Sequence, residues 1–250
     1  MSEAAGARRA RWVWALIGLV LAAGAPLGLG AWLWLRGLDL GGEVAQAALG
    51  YSALGTAIVF TLMGAFAGSM MDRQREAALR DGLTGLYNRR FMRESLLRLQ
   101  AAVQRTEAPL SVIMLDLDHF KRVNDTHGHL VGDQTLRAVA QVLSSSSRAS
   151  DVVARYGGEE FAILCPDTDR ATGERYAERL RRAIEAIDAK ALGFPGPQTV
   201  SLGLAVQSPS YAPTPEQLLG EADAALYRAK RAGRNCVRAS EDGVSEEVDP

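Results

Sequence analysis

Cysteine is scarce in this chain, and its spacing excludes a class of folds. The 250 residues hold two cysteines, Cys165 and Cys236. They have neither metal-ligand spacing nor the pattern of a disulfide framework in a reducing compartment. Cys165 closes an apolar stretch and reads as core. Charge of either sign is also missing in excess. Twenty-eight Lys and Arg stand against 29 Asp and Glu, for a net charge of −1, so composition points to no nucleic-acid partner. A third lack is polar sequence between the two apolar runs near the N-terminus. Only residues 36–43 join them, which leaves no room for a periplasmic sensor domain.

The apolar runs themselves are long. Trp12–Leu35 and Val44–Met71 carry no charged side chain, and each exceeds the roughly 20 residues that span a bilayer. They predict a two-helix transmembrane hairpin. The first run is long for a cleaved signal peptide, and the second would anchor the chain in any case. Arg8, Arg9 and Arg11 precede the first run, and Arg73, Arg75 and Arg80 follow the second. The positive-inside rule then puts both ends in the cytoplasm. Trp12, Trp14, Trp32 and Trp34 lie where an interfacial aromatic belt would. Gly64 and Gly68 form a small-xxx-small pair that fits helix packing, or a glycine-rich span with no partner. The expected organisation is an N-terminal tail (1–11), two spans within 12–71 (12–35 and 44–71), a linker helix (72–80), a catalytic domain (81–239) and a solvated acidic tail (240–250).

The most informative residues are Gly157-Gly158-Glu159-Glu160-Phe161. Val152–Tyr156 before them and Ala162–Leu164 after them read as two short strands, and Gly-Gly is a favoured two-residue hairpin turn. Adjacent carboxylates repel, which is a poor choice for folding alone. A hard dication such as Mg²⁺, which takes carboxylate oxygens, gives them a purpose. The plain alternative is a hairpin tip with solvated glutamates. A second acidic site weighs against that alternative. Leu110–Leu115 is an apolar run of strand length that ends in Asp116-Leu117-Asp118. Two strand-borne acidic sites facing each other would hold divalent ions against a nucleoside triphosphate, an arrangement suited to nucleotidyl transfer.

Further segments add to these. They are Asp81-Gly82-Leu83-Thr84-Gly85-Leu86-Tyr87-Asn88-Arg89-Arg90, then His119-Phe120-Lys121 directly after Asp118, then Asn124-Asp125-Thr126-His127-Gly128-His129. Ala229-Lys230-Arg231-Ala232-Gly233-Arg234-Asn235 closes the set. From Asp81 to about Arg238 the chain resembles the GGDEF domain of diguanylate cyclases, with the signature in its GGEEF form. Family enzymes condense two GTP into cyclic di-GMP and release two pyrophosphates. The resemblance implies a mixed α/β (α+β) fold like the palm of nucleotide cyclases and polymerases, with a ferredoxin-like central sheet and flanking helices.

It also implies residue roles. Asp116 and Glu159 would be Mg²⁺ ligands with the Leu117 carbonyl, for about two ions per site by the two-metal pattern, with Mn²⁺ as a substitute. Glu159 is the family's candidate for accepting the 3′-hydroxyl proton, and Glu160 would support it. Lys121 would stabilise charge on the transferring phosphate. Asn124 and Asp133 match the guanine-reading pair, with His129 near the same pocket. A carboxylate at Asp133 suits guanine, because it accepts from both N1–H and the exocyclic amine. Gly157 and Gly158 would let phosphate approach the backbone, and Lys230 and Arg234 would hold the β and γ phosphates. Each residue also has an ordinary reading. Asp118 could start a helix, Asn124, Asp125 and Gly128 could make a turn, and Lys230 and Arg234 could favour a helix C-terminus, with Gly233 as its cap.

Arg148-Ala149-Ser150-Asp151 sits at the offset from Gly157 where the family has its inhibitory product site, and Arg179 falls at the family's secondary arginine. Arginine forks onto phosphate or guanine, and aspartate accepts from guanine. The alternative for Arg179 is a solvated helix face. The partners implied are GTP, cyclic di-GMP, a second copy of the chain, the lipid bilayer and an unidentified membrane or periplasmic signalling partner. The implied location is a bacterial inner membrane, multi-pass, with the catalytic domain in the cytoplasm. Two rival readings remain: a catalytically silent, membrane-anchored cyclic di-GMP sensor, and a membrane interaction protein whose domain only reports GTP. The sequence shows no phosphodiesterase domain.

The coarse secondary-structure reading places helices over 90–105, 131–144 and 170–189 and strands from Leu110 and over 199–206. A further helix starts at Thr214-Pro215-Glu216-Gln217 with a capping box.

Overall fold

The computed structural model describes residues 24–39 and 42–240. The N-terminal tail, the start of the first apolar run with Trp12 and Trp14, and the tail from residue 241 lie outside the described residues. The chain divides into two compact units, Met1–Ala78 and Leu79–Pro250.

The first unit holds α1 (Gly24–Leu35) and most of α2 (Glu43–Leu79). Within α2, Glu43–Met71 has a mean hydropathy of 1.6 and is the one described helix long and apolar enough to cross a membrane. At 1.5 Å per residue it reaches about 44 Å, more than a hydrocarbon core needs. Its large apolar side chains, Tyr51, Leu54, Leu62 and Phe66 among them, point outward rather than into a core. The Thr56 hydroxyl donates to the Ser52 carbonyl at 2.6 Å, which satisfies a polar group on this apolar helix. Helical structure continues through the linker residues to Leu79.

The second unit is a sheet covered on both faces. In chain order it contains β1 (Tyr87–Asn88), α3 (Arg89–Thr106), β2 (Leu110–Leu117), α4 (Phe120–His127), α5 (His129–Ser146), β3 (Val152–Arg155) and β4 (Glu160–Pro166). Then come α6 (Arg170–Glu185), β5 (Val200–Gln207), α7 (Pro215–Arg231) and β6 (Val237–Ala239). The strand order is β1-β3-β4-β2-β5-β6. The inner four strands pair antiparallel, and β1 and β6 are added parallel at the edges.

Alternation along the strands sorts side chains between the two faces. Ile113, Leu115 and Leu117 of β2 join Phe161 and Ile163 of β4 against Leu136 and Val139 of α5 and Ala177 and Leu180 of α6. Val112 and Met114 join Ala162 and Leu164 on the other face, against Met92 and Leu96 of α3 and Leu218 and Leu226 of α7. A strand buried on both faces reads as a continuous apolar run, which is why Leu110–Leu117 is legible in the sequence.

Two local devices set the helices that matter most. Thr214 and Gln217 complete the capping box that starts α7. Where α7 crosses β5, a Cβ on Gly203 would lie 2.1 Å from the Ala222 carbonyl oxygen, so only glycine admits this approach. The predicted helix over 170–189 ends earlier, at Glu185, where the Ala186 and Ile187 N–H groups tighten onto Arg182 and Ile184. The predicted helix from 131 starts at His129. It is preceded by a separate helix, α4, where turn-forming residues disguised the pattern.

Candidate active site

β2 delivers Asp116 next to its C-terminal end. The register pairs Asp116 with Glu160 on one side and Ser201 on the other. The Leu117 N–H donates to the Glu159 carbonyl at 3.3 Å. Two acidic segments far apart in sequence are therefore adjacent. Strand parity puts Asp116 and Glu160 on the face covered by α7, and Lys230 near the end of that helix reaches Asp116 Oδ2 at 2.8 Å.

The signature loop differs from the expected two-residue turn. A two-residue Gly-Gly hairpin needs positive φ at the first glycine or at both, and neither Gly157 nor Gly158 has it. Instead Tyr156 and Gly157 both donate to the Glu160 carbonyl, at 2.8 and 3.2 Å, around a loop of Gly157, Gly158 and Glu159. The glycines serve by lacking side chains. A Cβ on Gly157 would fall 2.3 Å from Glu160 Oε2, whereas one on Gly158 would meet nothing within 4 Å. So Gly157 makes room for a carboxylate, and Gly158 leaves open space over the backbone.

Electrostatics at this edge are unbalanced. Burial raises the pKa of the Asp116 carboxyl, with Lys230 and Arg234 offsetting part of the effect. Burial and then the Asp116 charge raise that of Glu159, with Glu160 adding to it. Carboxylates that resist ionisation beside one another favour a cation in their midst. The donor set expected from the sequence, two carboxylates and a backbone carbonyl, is hard oxygen of the kind Mg²⁺ takes. Among the described residues no three His, Cys, Asp or Glu side chains converge on one ion. The expected set needs only two.

Asp118, two residues on, has a different environment. It accepts from Ser201 Oγ at 2.7 Å, Thr199 Oγ1 at 2.9 Å and the Asn235 N–H at 3.0 Å. His119 rather than Asp118 stands at the N-cap of the following helix, and Asp118 ties the end of β2 to β5 and to the segment after α7.

Asn124 on α4 and Asp133 on α5 lie next to each other. Gly132 packs so close that a Cβ there would fall 1.9 Å from Asn124 Oδ1. His129 opens α5 and Lys121 lies in the first turn of α4, both exposed. The remaining expected residues gather elsewhere. Arg148, Asp151 and Arg179 line a cavity of about 450 Å³ together with Thr172, Arg175 and Tyr176. Asp151 Oδ2 accepts from the Arg148 N–H at 2.8 Å. Arg179 stacks on the Tyr176 ring at 4.9 Å and donates to the Ser146 carbonyl at 3.0 Å.

Arg155 is a residue that sequence reasoning missed. Its Nη1 pairs with Asp81 at 3.1 Å, while Nε and Nη2 donate to the Gly158 carbonyl at 3.1 and 2.7 Å. Asp81 also accepts from the Thr84 N–H and hydroxyl. The first turn of the domain is thereby fastened to the signature loop. Its one sequence sign is a charge directly before Tyr156-Gly157-Gly158.

A family profile described as "Diguanylate cyclase, GGDEF domain" matches residues 78–236. Diguanylate cyclase DgcP of Pseudomonas aeruginosa is 44% identical over 167 residues, 67% of this chain and 25% of that protein. Response regulator PleD of Caulobacter vibrioides is 40% identical over 173 residues, again 67% of this chain and 37% of the relative. The chain thus spans between a quarter and two fifths of these relatives' length. The GGDEF domain of DgcB from Caulobacter crescentus, solved with c-di-GMP, superposes with a TM-score of 0.60 at 37% identity, covering 66% of this chain and 94% of that one. With a match across most of the chain and the same mixed α/β sheet, this protein belongs to the GGDEF family of diguanylate cyclases.

Proposed function

We propose that this chain condenses two GTP into cyclic di-GMP and two pyrophosphates. The observation that carries the reading is the meeting of Asp116 with Glu159 and Glu160 across β2 and β4, with Lys230 reaching in from α7. In this reading Asp116, Glu159 and the Leu117 carbonyl hold Mg²⁺, which supplies positive charge beside the triphosphate when bound. Asn124 and Asp133 hold the guanine edge with His129 nearby, and the open backbone at Gly158 admits phosphate. Lys230 and Arg234 hold the β and γ phosphates, and Lys121 faces the transferring one. The 3′-oxygen of each GTP bonds to the α-phosphorus of the other, each bond to pyrophosphate breaks so that two pyrophosphates leave, and Glu159 of each site takes the hydroxyl proton. Catalysis is then mainly positioning and electrostatics.

One domain holds one GTP, so the attacking oxygen comes from a second copy, and the working unit is a homodimer. Product binding at the cavity of Arg148, Asp151 and Arg179 provides feedback. The helix through Glu43–Met71 anchors the chain in the inner membrane with the domain on the cytoplasmic side, where GTP is. That α2 presents apolar side chains outward supports this placement.

The test is incubation of the full-length protein in detergent with GTP and Mg²⁺, with products resolved by chromatography across a range of protein concentration. Cyclic di-GMP should form at a rate that rises more steeply than linearly as monomer becomes dimer. Absence of product together with tight cyclic di-GMP binding would instead favour the silent sensor.

A further inference from the structure

Lys230 and Arg234 lie on either side of a sharp reversal. α7 ends at Arg231, and Gly233, Arg234 and Asn235 follow with φ of 105°, 63° and 45°. Glycine enters this left-handed region freely, whereas arginine and asparagine do so at a cost. Two successive non-glycine residues persist there only where their surroundings over-determine them.

Here the surroundings hold Asn235 by both its main chain and its side chain. The Arg234 N–H donates to the Ala229 carbonyl at 3.1 Å, and the Asn235 N–H donates to Asp118 Oδ2 at 3.0 Å. Asn235 Oδ1 accepts from Arg181 Nη1 at 2.8 Å, and its Nδ2 donates to Glu185 Oε1 at 2.8 Å. This pattern fixes which way the amide points, since the reverse would set NH₂ against guanidinium and oxygen against carboxylate. Arg181 is itself held, by Glu178 at 2.9 Å and Glu185 at 2.7 Å, and its side chain is only 13% exposed. Asp118, the other anchor, is buried at the end of β2, two residues from Asp116. One asparagine is thus gripped from α6 on one side and from the catalytic strand on the other. The residue directly before it, Arg234, closes onto the Ala229 carbonyl beside Lys230, whose ammonium lies 2.8 Å from Asp116 Oδ2.

Resting on the reading of this edge as the GTP site, we propose that Asn235, held by Arg181, Glu185 and Asp118, is a positioning residue that aims Arg234 at the triphosphate. It does not touch nucleotide. Removing it frees Arg234 to sample orientations that do not serve the phosphates, so its effect passes through Arg234 alone.

The experiment measures affinity for a non-reacting nucleotide, guanosine 5′-[α,β-methylene]triphosphate, with Mg²⁺, by calorimetry on the full-length protein in detergent. Asn235→Gly suits it, because glycine keeps the left-handed backbone and loses only the side chain. Affinity should fall about tenfold, the scale on which loss of a supporting hydrogen-bond partner acts. In an Arg234→Ala background the same change should produce no further loss, as a double-mutant cycle requires of a residue acting through another. Equal losses in both backgrounds would overturn the inference and leave Asn235 as a fold-closing residue. Unchanged affinity on the wild-type background would overturn it as well. Glu185→Gln, which weakens the grip without touching the reversal, gives a second route if Asn235→Gly melts below the assay temperature. It should show the same dependence on Arg234. Wild-type protein that binds no analogue would overturn the GTP reading itself and the inference with it, a result distinct from failure of the variants alone.

Discussion

Two charge-rich regions of this domain are built on opposite plans. At the C-terminal end of β2, Asp116 lies beside the Glu159-Glu160 segment and pairs with Lys230, and burial raises the pKa of Asp116 and Glu159. On α6, Glu178, Arg181, Arg182 and Glu185 interlock, and hydrogen bonds from Arg181 hold Glu178 down to about 2. The α6 cluster satisfies its own charges. The carboxylates at the end of β2 do not close on themselves in this way. Charge density alone therefore does not mark a working site. What distinguishes the two is whether the surrounding charges close on themselves.

The comparison breaks most readily at Lys230. Lys230→Met should raise the GTP KM by roughly ten- to a hundredfold, the range for losing hydrogen bonds to charged groups, with the fold intact. A KM within twofold of wild type would remove Lys230 from phosphate binding. A change at Arg181 on α6 should act on stability as well as on nucleotide affinity through Asn235. Arg181→Ala removes the partner shared by Glu178, Glu185 and Asn235 Oδ1, and should cost about 1–2 kcal/mol in denaturant unfolding. An unchanged midpoint would show that the α6 network is decorative.

The smallest expected effect is a pH signature. The Glu178 pKa is depressed in the folded state, so its contribution is complete above its ordinary value of 4.5 and fades as pH falls toward about 2. The melting-temperature gap between wild type and Glu178→Gln should shrink across that interval, and a constant gap would contradict the assignment. Because the Glu178 side chain is 36% exposed and screened by solvent, the gap should be small throughout.

The sequence revealed these regions unequally. β2 was legible because burial on both faces made it a continuous apolar run, and α7 because Thr214, Pro215 and Gln217 wrote its start locally. β1 and β6 were not, since two- and three-residue edge strands owe their existence to partners rather than to pattern. α4 hid behind Asn124, Asp125 and Gly128, which read equally well as a turn. Asp116, Glu159, Glu160 and Lys230, which the structure brings near one another, all stand in local motifs. Arg155 and Asn235 were not legible, because what defines them are contacts to Asp81, 74 positions away, and to Glu185, 50 positions away. The signature loop was located correctly, but its geometry was misread. Glycine there serves close approach to Glu160 rather than positive φ.

The central claim is that the unbalanced carboxylate edge is the catalytic centre. It is tested most directly by the rate of cyclic di-GMP formation from GTP and Mg²⁺ by Glu159→Gln against wild type, at equal concentration of folded dimer. Glutamine keeps the shape of Glu159 and removes its charge and its capacity to accept a proton. The account predicts a fall of about a thousandfold or more, the scale of losing both an electrostatic and a proton-accepting group. A variant within tenfold of wild type would contradict it.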